Sequence, residues 1–231
     1  MSAVSLAQVS FRYRASLPDV VQVSKLDIAS GERVFLHGPS GSGKSTLLAL
    51  IGGLYAPQSG SVEVLGSKLS AMSQSERDKF RARDIGFIFQ VFNLVPYLDV
   101  IENVVLPIKF GRQVSKGFSS AKEEAKHLLN QLGLGPYLET AVTELSIGQQ
   151  QRVAVARALI GSPGLIIADE PTSALDADAR QSFLDTLRTH VKASSSAVLF
   201  VSHDRSLASA FDRSLSLVEI NRASFREGGA V

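Results

Sequence analysis

The run Gly38-Pro39-Ser40-Gly41-Ser42-Gly43-Lys44-Ser45 constrains this chain more than any other feature. Its spacing is G-x-x-x-x-G-K-[ST], a loop whose backbone N–H groups cradle phosphates. Glycine lets the backbone come close to an anion and adopt positive φ. Such a loop needs a strand before it and a helix after it. Arg33-Val34-Phe35-Leu36-His37 reads as a buried strand, and Thr46-Leu47-Leu48-Ala49-Leu50-Ile51 as a helix with an apolar face. The helix starts near Lys44 and turns its positive dipole end toward the phosphates. Lys44 is expected to reach the β- and γ-phosphates, and the Ser45 hydroxyl to ligate Mg²⁺. The fold this predicts is α/β.

A chain of 231 residues, 45% of them hydrophobic, suits one sizeable domain with room for a subdomain. Net charge is +2, with no long run of like charges, so no nucleic-acid footprint is expected. Cys is 0, which excludes disulfides and thiolate metal sites. Neither a signal peptide nor a run approaching the ~20 apolar residues of a membrane span is expected. If the chain works at a membrane, another chain must cross it.

Val4 to Tyr13, Val20 to Ile28, Ser61 to Leu65 and Ile85 to Gln90 read as strands. Lys122 to Leu129 reads as an amphipathic helix, stopped near Gly133 and Gly135-Pro136. Leu165 to Ala168 and Ala197 to Ser202 are strands, with a helix from Ala179 to His190 between them. The organisation is a nucleotide-binding core, residues 1–90 and 159–231, interrupted by a mostly helical insertion over 91–158. No internal repeat is present, so one module is expected over 1–231.

Two further segments carry chemistry. Gly164 to Glu170 is an apolar strand ending in the carboxylates Asp169 and Glu170. Two acids at a buried strand end need a cation nearby. Asp169 is expected to hold Mg²⁺, through water, and Glu170 to polarise the attacking water. Leu145-Ser146-Ile147-Gly148-Gln149 opens a second helix, with capping-box spacing from Ser146 to Gln149. An exposed helix N-terminus with a hydroxyl and a small Gly148 is also suited to an anion. The chain already has its phosphate loop, so this anion is read as a partner copy's nucleotide.

Gly38 to Ser45, Gln90, Leu145 to Gln149, Asp169-Glu170, Ser173-Ala174-Leu175-Asp176 and His203 occur in the order found in ATP-binding-cassette (ABC) ATPases. The chain resembles that family over nearly its whole length, departing at Ile147, where glycine is usual. The resemblance implies a P-loop NTPase (RecA-like) core with an antiparallel β subdomain and a helical insertion. It implies ATP hydrolysis with Mg²⁺. ATP would lie among Tyr13, the loop Gly38, Pro39, Ser40, Gly41, Ser42, Gly43, Lys44 and Ser45, and Thr46. Ser146, Gly148, Gln149 and Asp176 would act across a homodimer. Gln90 and His203 would sense the γ-phosphate, Gln90 also joining Ser45 and Asp169 at the metal. Tyr13 would stack on adenine, with Phe11 as the competing aromatic. His37, His127 and His190 are expected to be structural.

Ile85 to Gln90, followed by Phe92-Asn93-Leu94, Pro96 and Glu102-Asn103-Val104, is similar to the ATPases of the MacB/LolD/FtsE-like group. That implies a peripheral protein at the cytoplasmic face of the inner membrane, bound to an integral membrane permease. The alternative is a regulatory FtsE-like ATPase of a division or envelope complex that does not transport. The apolar stretch Phe89 to Leu98 is where a permease contact is expected.

Overall fold

The computed structural model describes residues 2–173, 175 and 177–223. In chain order the elements are β1 (Ser2–Phe11), β2 (Val21–Ala29), β3 (Arg33–His37), α1 (Lys44–Ile51), β4 (Ser59–Val64), β5 (Ser67–Lys68), α2 (Gln74–Asp84), β6 (Ile85–Ile88), α3 (Val100–Lys109), α4 (Ala121–Gln131), α5 (Ile147–Leu159), β7 (Leu165–Asp169), α6 (Ala177–Ser194), β8 (Ala197–Val201), β9 (Arg213–Ser216) and α7 (Leu217–Ile220). The chain divides into two compact units, with breaks after Asp78 and after Ser196.

The first unit holds two sheets. One is antiparallel, in the order β2-β1-β4-β5. Its buried positions change parity part-way along β1, from Val4 and Leu6 to Val9 and Phe11. The change falls around Gln8, at φ 52, where pairing with β4 slips between Ala7 and Ser10. An extra residue in a ladder re-aims every side chain beyond it. The strand stops at Phe11, so simple alternation does not carry on to Tyr13. In the second sheet, β3 is flanked in parallel by β8 and β9. Val34, Phe35 and Leu36 are wholly buried, the pattern of a strand covered on both faces. Phe35, Phe200 and Phe211 pack with ring centroids 4.9–6.1 Å apart.

The second unit pairs β6 in parallel with β7 and builds a helical core from α3, α4 and α5. Val100, Val104, Leu129, Val153 and Ile160 lie at its centre. α3 starts at an Asp99–Glu102 capping box and runs through Pro107. α2 has little apolar stripe. Its Arg77 is buried and donates to the Gly53 and Met72 carbonyls, fixing the helix by hydrogen bonds where an apolar side chain would normally pack. Among the described residues no helix is long and apolar enough to cross a membrane.

Candidate functional site

The phosphate loop sits between β3 and α1, as the sequence pattern requires. Gly43 caps α1 in the left-handed region at φ 95, with no side-chain cap. A Cβ there would lie 2.9 Å from the Val20 carbonyl and 3.3 Å from the Asn221 amide, so only glycine fits. The Lys44 ammonium folds back over the loop, donating to the carbonyls of Gly38 at 2.7 Å and Pro39 at 2.9 Å. Inside the loop the Ser42 hydroxyl is buried without a hydrogen-bond partner. An orphan hydroxyl and a cation bonded to backbone carbonyls are donors that suit a polyphosphate.

Asn221 braces this loop from behind. It donates to the Ser42 carbonyl at 3.0 Å and the Val20 carbonyl at 2.9 Å, and accepts from Gln22 N–H at 2.7 Å. The contact joins positions nearly 200 apart in the chain, and no local pattern announces it.

Tyr13 is 53% exposed, whereas Phe11 is only 5% exposed. Phe11 stacks on Tyr55 at 5.2 Å, and Tyr13 stands edge-on to both rings. The Tyr13 hydroxyl shares a 2.8 Å hydrogen bond with the Thr46 hydroxyl in the first turn of α1. The fold thus brings the aromatic and the loop together. Of the two aromatics, only Tyr13 offers a free face.

His203 is exposed and lies two residues past the end of β8. Leu36 of β3 is in register with Val201, and Ser202 N–H donates to the Leu36 carbonyl at 3.2 Å. His203 and Gly38 therefore leave the same end of one parallel pair. His37 behaves differently. Burial, reinforced by the Arg205 charge, pushes its pKa below the ordinary histidine value, and its Nδ1 has no partner. The His127 ring lies 5.3 Å from that of Phe118.

In the second unit the parallel register of Ile88 with Ala168 sets the geometry. Gln90 follows β6 by two residues, Asp169 ends β7 and Glu170 comes next, so all three emerge at the same sheet end. Glu170 takes φ 47, a left-handed conformation that costs a non-glycine residue about 1–2 kcal/mol. That backbone turns the chain sharply away from the strand, leaving Asp169 and Glu170 half-buried.

Ser146 is the N-cap of α5. Its hydroxyl accepts from Gln149 N–H at 3.3 Å, while its own N–H donates to the Gln149 side chain at 2.8 Å. The capping box is complete, with Ile147 59% exposed in the first turn. Isoleucine at this position leaves the helix start intact. Behind it, the buried Gln151 donates to the Pro171 carbonyl at 2.6 Å. This ties the helix to the turn after Glu170, a link the sequence reading does not contain. Asp176 lies outside the described residues, as do Ala174, the tail beyond residue 223 and the side chain of His190.

Among the described residues no three His, Cys, Asp or Glu side chains cluster as a metal cage. In the second unit Gln90 and Asp169, and separately in the first unit Ser45, carry side-chain oxygens, the donor type Mg²⁺ prefers.

Comparison with known proteins gives a consistent result. The family described as ABC transporter matches residues 21–173. The lipoprotein-releasing system ATP-binding protein LolD of Pseudomonas syringae pv. tomato is 42% identical over 218 residues, covering 94% of this chain and 95% of that one. LolD of Xanthomonas campestris pv. campestris is 42% identical over 202 residues, with coverage of 87% and 82%. The dimeric structure of MJ0796, a bacterial ABC transporter cassette, matches with a TM-score of 0.81 at 34% identity, covering 98% and 100%. A dimeric post-hydrolysis state of the same cassette, bound to ADP and Pi, matches at 0.81 and 35%, covering 92% and 93%.

Proposed function

This chain belongs to the ABC transporter family, and from that premise we propose that it is the ATP-hydrolysing subunit of a lipoprotein-releasing type complex. Two copies close on two ATP molecules and drive a separate membrane permease. The observation that carries the reading is the Lys44 loop, with its left-handed Gly43 and its orphan Ser42 hydroxyl at the head of α1. The LolD relatives, similar over most of their length, support the choice of complex.

Each residue then has a task. Loop N–H groups from Gly38 to Ser45 take the phosphates, and Lys44 exchanges its two carbonyl partners for β- and γ-phosphate oxygens. Thr46 holds the phosphates nearer the sugar, and Tyr13 stacks on adenine, which selects a flat base with little hydrogen-bond discrimination. Mg²⁺, when bound, neutralises developing charge on the phosphates. Ser45, Gln90 and Asp169 are the residues that would hold it. Glu170 orients the attacking water and takes its proton, and His203 steadies the γ-phosphate. Ser146, Gly148 and Gln149 complete the partner's site, with Asp176 at the seam. Loss of the bridging γ-phosphate on hydrolysis removes a contact made only in the closed state, so the pair opens.

Residues 91–158 form the helical part that passes this motion on. Between Phe89 and Leu98, Val91 is 76% and Tyr97 85% exposed, whereas Phe92 and Leu94 are half-buried. Leu94 packs on the helical core, so Val91 and Tyr97 are the side chains free to meet a permease. The chain thereby sits peripherally at the cytoplasmic face of the inner membrane. Fractionation tests this. Native protein should sediment with membranes and be released when its permease is deleted, and Tyr97→Glu should release it while ATP still binds. A chain that stays soluble at every expression level, with no membrane protein crosslinking to Tyr97, contradicts the reading.

A further inference from the structure

The segment after Gln90 belongs to no helix or strand up to Val100, so its shape depends on what grips it. Two side chains do. From α3, the fully buried Asn103 accepts from Val95 N–H at 2.8 Å and donates to the carbonyls of Val95 at 3.1 Å and Leu98 at 3.2 Å. From α5, Arg157 donates to the Phe92 carbonyl at 2.6 Å and the Asn93 carbonyl at 2.7 Å. Asn93 itself is in the left-handed region, at φ 50, so the two carbonyls are presented around a sharp turn. A guanidinium places two N–H groups in a fixed planar fork and can hold both at once, whereas an ammonium has no such fixed geometry.

The same helix begins at Ser146. Arg157 lies eleven residues on, about three turns and about 16 Å along a rod with continuous backbone hydrogen bonds. One end of α5 thus carries the loop assigned to the partner's nucleotide, and the other holds the backbone beside the exposed Val91.

We propose that Arg157 is a positioning residue that makes the Phe92–Asn93 turn follow α5. When a second copy's nucleotide engages Ser146–Gln149, the shift of α5 reaches this segment through the two arginine–carbonyl bonds. The inference rests on the composite-site reading above. At Phe92 and Asn93 nothing else described provides the same link: of residues 92 to 95 only Leu94 packs on the helical core, and Asn103 grips Val95 and Leu98, from α3 and not from α5. An apolar contact can slide where two directed hydrogen bonds cannot.

Hydrogen exchange read by mass spectrometry, with and without Mg-ATP, tests it in the full-length Glu170→Gln protein. Peptides over 91–98 and over 146–157 are compared in that parent and in double variants carrying Arg157→Met or Arg157→Lys. In the parent, ATP-driven dimerisation should change exchange in both peptides by about threefold or more. In the Arg157→Met protein the dimer should form and 146–157 should respond as before, while the change over 91–98 shrinks to less than about 1.5-fold. Arg157→Lys, which keeps the charge and loses the fork, should fall between and stands in if the methionine variant does not fold. A dimer whose 91–98 response survives loss of the guanidinium overturns the inference alone. A Glu170→Gln parent that does not dimerise on ATP overturns the composite-site reading, and the inference with it.

Discussion

Gly148→Ala separates what one copy needs from what two copies need. Gly148 is the second residue of α5, in ordinary helical backbone, and a Cβ added there meets nothing within 4 Å. The isolated chain has no steric use for glycine at this point. Alanine is the better helix former by up to about 1 kcal/mol in a helix interior. At the exposed first turn about half of that is expected, a rise in melting temperature of about 1–2 °C for a domain of this size. The dimer should respond in the opposite sense. A phosphate bonded to the N–H groups at this helix start must approach the bare face of Gly148, and a methyl group there pushes it out. Losing one hydrogen bond to a charged group, at about 1.5–3 kcal/mol, weakens closure by the same amount, or about 10- to 150-fold. Thermal denaturation of the nucleotide-free chain reads the first effect. Sizing chromatography with Mg-ATP, in a Glu170→Gln background, reads the second. A normal ATP-driven dimer would refute the assignment of Gly148 to a seam between copies. A melting temperature more than about 3 °C lower would refute the geometry.

Lys44→Ala should weaken ATP binding by about 2–4 kcal/mol through loss of charge-assisted contacts, and calorimetry showing unchanged affinity would remove the loop from the account. Asn221→Ala leaves the Val20 and Ser42 carbonyls and the Gln22 N–H to find other partners. It should cost about 1–3 kcal/mol of stability and loosen ATP binding as well, and an unshifted denaturant midpoint would show that the brace is idle. Turnover by the isolated chain should rise more than linearly with protein concentration. Rates strictly proportional to concentration, from protein shown by sizing to be monomeric, would mean that one copy is self-sufficient.

Much of the site was legible because its chemistry forces local spelling. The loop from Gly38 to Ser45 needs glycines and a lysine at fixed spacing, and the β3–loop–α1 context followed from the buried run and apolar face around it. Asp169-Glu170 at a strand end, and Ser146 capping on Gln149, were legible for the same reason. What escaped is held by contacts with no local signature. α2 is pinned by the buried Arg77, where periodicity looks for an apolar side chain. α3 contains Pro107, which reads as a breaker although the helix runs through it from a strong capping box. Asn221, Gln151 and Arg157 each bond a backbone carbonyl far away in sequence, so nothing near them reveals their partners. The strand read from Val4 to Tyr13 ends at Phe11, which is buried, while Tyr13 beyond it is exposed.

If two copies of this chain share two ATP molecules, hydrolysis driven by Glu170 is what opens the pair. Glu170→Gln preserves shape and removes the charge that activates water. Sizing chromatography of this variant, with retained nucleotide assayed in the eluted peak, tests the claim most directly. The expected result is a monomer without nucleotide and, with Mg-ATP, a stable dimer holding one unhydrolysed ATP per chain. A monomer under both conditions, or a variant that turns over ATP at a near-normal rate, would contradict it.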